Sequence, residues 1–265
     1  MPIYRHALMA TLLLGSTLAT ATSIAQTDPP AARAVPARVL ADVQNRINAA
    51  RLQAVTTNDA GALEEIAAQL KEANAGTAGQ TAYYSSYWLA YTDYLIASRR
   101  LKESRRAEAA ALLNEAVNLL DNNSSADVET YTLLSLVAGL RIVASTPQNI
   151  GEAMNQARDA LERAIALDPN NTRVLYARAL ADYTTPKEYG GGRVAERFAW
   201  RAIGRPSEST RGLKPGWGHD DSAALLVKIL RASGRDADAN ALLARFSTQY
   251  PTSAPLHQVR GKPKS

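Results

Sequence analysis

Apolar residues recur along this chain three and four places apart, the spacing that lines one face of a helix. No run alternates β-branched with polar residues long enough to build a strand. The pattern predicts a first helix over about 37–56, with Val39, Val43, Ile47, Ala50 and Ala54 on one face. A second follows over about 60–74, around Leu63, Ile66, Ala67 and Leu70. Ala75-Gly76-Thr77-Ala78-Gly79 then breaks the chain. Further helices are expected at about 81–103, 105–120, 127–144, 149–167, 171–184, 193–203, 220–232 and 236–248. Asp127 suits the cap of the fifth, because its carboxylate can accept from free amides of the first turn. A long loop from Gly204 to His219 carries Pro206 and Pro215, and the tail from Pro251 is expected to fray.

Within this frame small residues return at a fixed spacing. Ala157, Leu161, Ala164 and Pro169 show it, closing on Leu167-Asp168-Pro169-Asn170-Asn171. Ala239, Leu243, Phe246 and Pro251 show it again. Ala195, Ala199 and Ala202 repeat it with Pro206 one place early, and Ala109, Leu113 and Ala116 repeat it without the proline. Small side chains let helix backbones approach, with Leu161, Leu167, Leu243 and Phe246 expected to fill the space between. Pro169 cannot continue a helix, and its Asp and Asn neighbours favour turns. Self-similarity at about thirty to fifty residues marks a solenoid.

The pattern resembles the tetratricopeptide repeat (TPR) family, whose unit of about 34 residues is two antiparallel helices closed by a proline. Residues 220–253 fit one unit without gaps, with Gly234 at the turn, and residues 90–123 fit another. Residues 131–171 and 172–206 fit with extra residues between the helices. The resemblance covers about 90–253 and implies an all-α, TPR-like α-solenoid of antiparallel helix pairs. Residues 37–79 would be a degenerate N-terminal hairpin acting as a cap, residues 80–253 the repeats, and residues 254–265 a disordered basic tail. Such repeats are scaffolds, so the resemblance brings no catalytic role. An ordinary alanine-rich helical bundle is the alternative.

Composition agrees with helix-on-helix packing: of 265 residues, 46% are hydrophobic but only two are Phe. The first 25 residues read as a signal peptide, with Arg5 and His6 before the apolar run Ala7 to Ala19, which is too short to span a membrane. Cleavage is expected after Ala25, with Ala21 as the alternative, and residues 26–36 read as a flexible linker. With no Cys anywhere, disulfides are excluded, and export of such a chain fits a Gram-negative periplasm. The mature chain is expected to contain no membrane span. Formal net charge is +5. Arg99, Arg100, Lys102, Arg105 and Arg106 cluster, but Glu103 and Glu108 interleave them, which reads as a solvated helix end. Export argues against nucleic acid as a partner.

The helix over 81–103 holds Tyr83, Tyr84, Tyr87, Tyr91 and Tyr94, five of the eleven tyrosines, together with Trp88. Tyr84, Tyr87, Trp88, Tyr91 and Leu95 make one stripe, read either as core or as the wall of a ligand groove. Tyr83 and Tyr94 lie off the stripe and are the better groove candidates. Tyr189-Gly190-Gly191-Gly192 lacks the lysine and hydroxyl of a phosphate loop and reads as a wide turn, and Trp217-Gly218 likewise reads as structural. His219-Asp220-Asp221 has the residue types of a metal site, but at a helix start the aspartates serve as caps. No metal or cofactor is expected. There is no Cys, no Gly-x-Ser-x-Gly elbow and no histidine that reads as buried, so nucleophilic catalysis finds little support.

Two functions follow from these residues. The first is a non-enzymatic periplasmic scaffold holding a partner protein or peptide in its concave face. Family geometry implies Arg173, Tyr176, Tyr183, Lys228 and Arg231 on that face, with Tyr94 and Ser98 as weaker equivalents. The Lys/Asn clamp of chaperone-binding members is absent. The alternative is a transport-associated small-molecule-binding subunit, with its pocket at the Tyr-rich helix 81–103.

Overall fold

A computed structural model describes residues 38–75, 77–123, 126–208 and 212–260. The expected signal peptide, the linker at 26–36 and the last five residues lie outside the described residues. Among the described residues there are helices and no strand, so the chain is all-α. In chain order they are α1 (Val43–Thr57), α2 (Gly61–Asn74), α3 (Gly79–Lys102), α4 (Arg106–Asp121), α5 (Val128–Ala144) and α6 (Ile150–Leu167). They continue with α7 (Thr172–Thr184), a 3₁₀ turn at Lys187–Tyr189, α8 (Ala195–Ile203), α9 (His219–Ala232), α10 (Asp236–Gln249) and α11 (Ala254–Val259).

Local chemistry sets the ends of these helices. Asp127 caps α5 by accepting from the amides of Glu129 and Thr130, as the sequence predicts, and Asn171 caps α7 through the amides of Arg173 and Val174. Gly191 is required where it stands, because a Cβ there would lie 1.8 Å from the carbonyl oxygen of Thr185.

Consecutive helices run antiparallel. Ser86, early in α3, donates to Asn74 at the end of α2, while Arg100, late in α3, pairs with Glu64 early in α2. Arg141 near the end of α5 reaches Glu152 and Gln156 near the start of α6. Ala109, Ala116, Ala164, Ala199, Ala202 and Ala239 have no exposed surface, so the small residues do lie at close helix contacts. Leu167 departs from expectation: it is 57% exposed and fills no space between helices.

The core has two parts. One gathers α1 to α5 around Trp88, Tyr87 and Tyr91, which are 0%, 0% and 1% exposed, and the other joins α7 to α11 around Leu226, Leu230 and Phe246. The aromatic stripe on α3 is therefore core.

Contacts are not confined to neighbouring helices, as they would be in an open solenoid. The short helix α11 packs on both α9 and α1. Arg51 of α1 donates to Asp221 of α9 at 2.8 Å. The loop before α9 also reaches back, with Trp88 Nε1 donating to the carbonyl of Leu213 at 2.9 Å and the amide of Gly216 donating to Gln44 Oε1 at 2.6 Å. α11 corrects the expectation of a disordered tail over its own residues. Ser253 caps it, and Ala254, Leu256 and Val259 are buried, a burial that local propensity does not report.

Asp93 of α3 is an anomaly in this core. It is 3% exposed, and its Oδ2 has no hydrogen-bond partner. Burial, reinforced by Glu115, pushes its carboxyl up to about 7 against the opposing pull of Lys71. A raised acid holds its proton in the folded state after the unfolded state has lost it, so stability falls as pH rises from about 4 towards 7. Asp93→Asn should flatten that slope and be the more stable protein at pH 8, by roughly 2–4 kcal/mol. Urea unfolding at pH 5 and pH 8 tests this: an identical slope in both proteins would show that Asp93 is not the group responsible.

Candidate functional site

Four helices distant in sequence bring one cluster together. α1 supplies Arg51; α3 supplies Tyr91, Tyr94 and Lys102; α7 supplies Tyr176; α9 supplies Asp221 and Lys228. The Arg51–Asp221 pair lies at its centre. The Arg51 guanidinium approaches the Tyr91 hydroxyl at 3.5 Å. Tyr94 and Tyr176 both lie within electrostatic range of Arg51 and Asp221, and of each other.

The floor of the cluster is aromatic. Trp217, from the loop before α9, stacks on Tyr91 with ring centroids 4.9 Å apart and meets Tyr176 edge-on at 6.2 Å. Its indole Nε1 donates to the Tyr87 hydroxyl at 3.0 Å. Gly218 follows with φ 107°, a left-handed conformation, and a Cβ there would lie 3.0 Å from the side chain of Arg173. Both residues of the pair expected to be structural are so placed.

Each helix carries its face of the cluster from buried floor towards solvent. On α3 it passes from Tyr91 through half-buried Tyr94 and Ser98 to exposed Lys102. On α7 it passes from half-buried Tyr176 and Leu180 to Tyr183, which is 36% exposed. On α9 it passes from buried Asp221 and Leu225 to exposed Lys228. The helical spacings place these residues on single faces.

Electrostatically the cluster is strained. Burial raises the hydroxyls of Tyr91 and Tyr176 above the usual phenol range and pushes Tyr94 up to about 12, so all three stay protonated near neutrality. Both lysines reach solvent, yet enough protein surrounds them for desolvation to lower their ammonium groups. Lys102 is lowered further by Lys228, Arg51 and Arg99. Lys228 is lowered further by Arg51, with Asp221 opposing. Asp221 Oδ2 is buried without a hydrogen-bond partner. The surface thus offers aromatic rings, phenol donors and two lysines without ion pairs of their own among the described residues. That arrangement suits a flat apolar body with an anionic edge.

The residues read from the sequence divide accordingly. Tyr94, Tyr176 and Lys228 meet in the cluster, and Tyr183 lies on the same face of α7 as Tyr176. Arg173 does not join them. It is 3% exposed, pairs with Glu129 and with Glu208 at 2.9 Å, and donates to the Trp217 carbonyl at 3.1 Å. Arg231 donates to the carbonyl of Val259 and to Asn240, holding α11 and α10. Their spacing matched a partner face, but anions and carbonyls of the long loop and the C-terminal helix engage their donors.

Arg51, Tyr91, Lys102 and Asp221 were not singled out as site residues. Arg51 lies on what reads as a cap helix. Lys102 belongs to a basic cluster of which three members are paired, Arg99 with Glu103, Arg100 with Glu64 and Glu103, and Arg105 with Glu108. What marks Lys102 is its nearness to Lys228 and Arg51 of other helices, and that is a tertiary fact. His219 is buried, against the expectation that no histidine would be, and both it and Asp220 are committed elsewhere. His219 Nε2 faces the carbonyls of Ile203 and Arg205, its Nδ1 meets the Tyr250 hydroxyl, and Asp220 accepts from Ser253 at 2.6 Å.

Two clefts flank the other end of α3. One of about 450 Å³ is lined by Tyr83, Tyr84, Glu129, Arg173, Arg205 and Lys214, among others. The other, of about 380 Å³, is lined by Tyr83, Ser86, Asn74 and Asn118, among others. Their charges are largely matched: Tyr83 donates to Asp127 at 2.6 Å, and Arg173 is paired as above.

No family model and no curated protein matches the chain. A solved structure that shares the fold is the HusA haemophore from Porphyromonas gingivalis, 22% identical, covering 72% of this chain and 92% of that one, with a TM-score of 0.53. At that identity the likeness is one of helical fold. The expectation of a scaffold for a partner protein or peptide is corrected by this finding. The solved neighbour is named for carrying haem, not as a peptide scaffold or an enzyme, and two of the residues expected on a peptide-binding face are consumed inside the fold.

Proposed function

We propose that this chain is a non-enzymatic carrier of a small, flat, anionic ligand of the haem class, bound at the cluster of Tyr94, Tyr176, Lys102 and Lys228. The observation that carries the reading is the meeting of aromatic rings with more cations than the one carboxylate among them can match, contributed by four helices. The fold shared with a haemophore supports it. The Tyr-rich helix α3 is central, as in the small-molecule alternative read from the sequence. Tyr91 and Trp217 form the floor, and the phenols of Tyr94 and Tyr176 offer donors and ring faces. We read the helix pairs as TPR-like units adapted to this use, and the N-terminal segment as an export signal to the periplasm. Among the described residues no helix is long and apolar enough to cross a membrane.

Titration with ferric protoporphyrin IX tests the function. Saturable binding is expected, with a shifted haem absorption band and quenched tryptophan fluorescence. Tyr94→Ala with Tyr176→Ala should weaken it by at least about tenfold, the scale set by losing ring contacts worth roughly 0.5–1.5 kcal/mol each. Arg205→Gln with Lys214→Gln, in the larger outer cleft, should leave it unchanged. The absence of any saturable haem signal, or its loss only in the outer-cleft variant, would overturn the assignment.

A further inference from the structure

The two lysines of the cluster carry information about the edge of the ligand. Lys102 closes α3 and Lys228 lies on α9, each at the solvent end of a helix face that leads out from the Arg51–Asp221 pair and each within electrostatic range of Arg51. Among the described residues neither has an ion pair or a hydrogen bond, whereas Arg51 has Asp221. Asp220, the other carboxylate near Arg51, accepts from Ser253 beside α11. Three cations thus share one nearby carboxylate: Asp221 acts on Lys228 but is already engaged by Arg51, and the charges acting on Lys102 are all positive. Like charges in that position repel, and a folded chain gains nothing from the arrangement by itself. The repulsion turns into attraction when two anionic oxygens enter between them. Lysine suits this task because its ammonium is a mobile point charge on a long stem, able to follow groups of unfixed spacing.

We infer that Lys102 and Lys228 form a carboxylate clamp, so that the site selects a ligand bearing two carboxylates on one edge of an otherwise apolar plane. This deepens the function proposed above and rests on it. Phenols and rings hold the face of the ligand, the lysines hold its charged edge, and the lysines thereby set its orientation. Each charge-assisted contact is made at the rim, close to solvent, so salt should weaken it.

The test compares ferric protoporphyrin IX with its dimethyl ester, which has the same ring and iron but no carboxylates. The native chain should bind the ester about ten- to a hundredfold more weakly than the diacid. Lys102→Gln with Lys228→Gln should lower affinity for the diacid to that of the ester and abolish the preference. Thermal unfolding should show this variant at least as stable as the parent, since it relieves repulsion. Equal affinity of the native chain for acid and ester would overturn the clamp and leave the carrier function standing. Binding of neither would overturn the carrier function itself. The acid-versus-ester comparison uses the unaltered chain, so it decides the matter even if the double variant folds poorly.

Discussion

Arg173→Ser should lose about 3–5 kcal/mol of stability, seen as a lower midpoint in urea unfolding, because one partner of a buried ion cluster disappears. Arg173 is 3% exposed and its guanidinium serves three partners on two segments: Glu129 of α5, and Glu208 and the carbonyl of Trp217 in the long loop. Without it Glu129 faces the interior with its counter-charge gone, and the loop loses two of its anchors. Arg173→Lys should fall between the two, since an ammonium keeps the charge but cannot reproduce the planar fork. A Ser variant as stable as the parent would mean that the loop's other anchors, Trp217 itself, Leu213 on Trp88 and Gly216 on Gln44, hold it without Arg173.

Trp217→Ala is expected to be comparably severe, about 3–5 kcal/mol, and to act on function as well. Trp217 is 4% exposed, with Tyr91, Tyr176 and Tyr87 around it. Removing the indole opens a void beneath the ring faces of Tyr91 and Tyr176, and those rings then lose the support that orients them. Haem affinity should drop even at temperatures where the variant is fully folded. Trp217→Phe should keep the stack and give up the hydrogen bond to Tyr87, a change of about 1 kcal/mol. Full haem affinity in folded Trp217→Ala would show that the floor takes no part in binding.

The helices were legible because their signals are local. The predicted helix over 60–74 stands as Gly61–Asn74, and that over 127–144 stands as Val128–Ala144 with Asp127 as its cap. The all-α class follows from the same periodicity. What did not follow is anything decided by distant partners. The stripe of Tyr87, Trp88 and Tyr91 could be core or groove until Trp217 was seen lying on it. Arg173 and Lys228 look equivalent in a repeat register, yet one meets two carboxylates and the other none. α11 carries only six residues, and its helical state comes from burial against α1 and α9 rather than from propensity. The candidate site was legible only in part, as Tyr94, Tyr176 and Lys228, because Arg51 and Asp221 lie 170 residues apart and no local pattern links them.

That separation also bears on the order in which the chain can acquire its structure. Leu40, Val43 and Ile47 near the N terminus are at most 1% exposed, and α1 packs on α11, a helix synthesised at the far end. A ribosome or a secretion channel releasing the chain from its N terminus delivers α1 long before α11 exists. Until then α1 keeps an uncovered flank, and closing so long a loop is slow compared with pairing adjacent helices. The nascent protein therefore stays incompletely folded until α11 emerges, about ten to forty seconds after α1 at roughly 5–20 residues per second. For the export proposed above, such lateness favours passage over premature collapse.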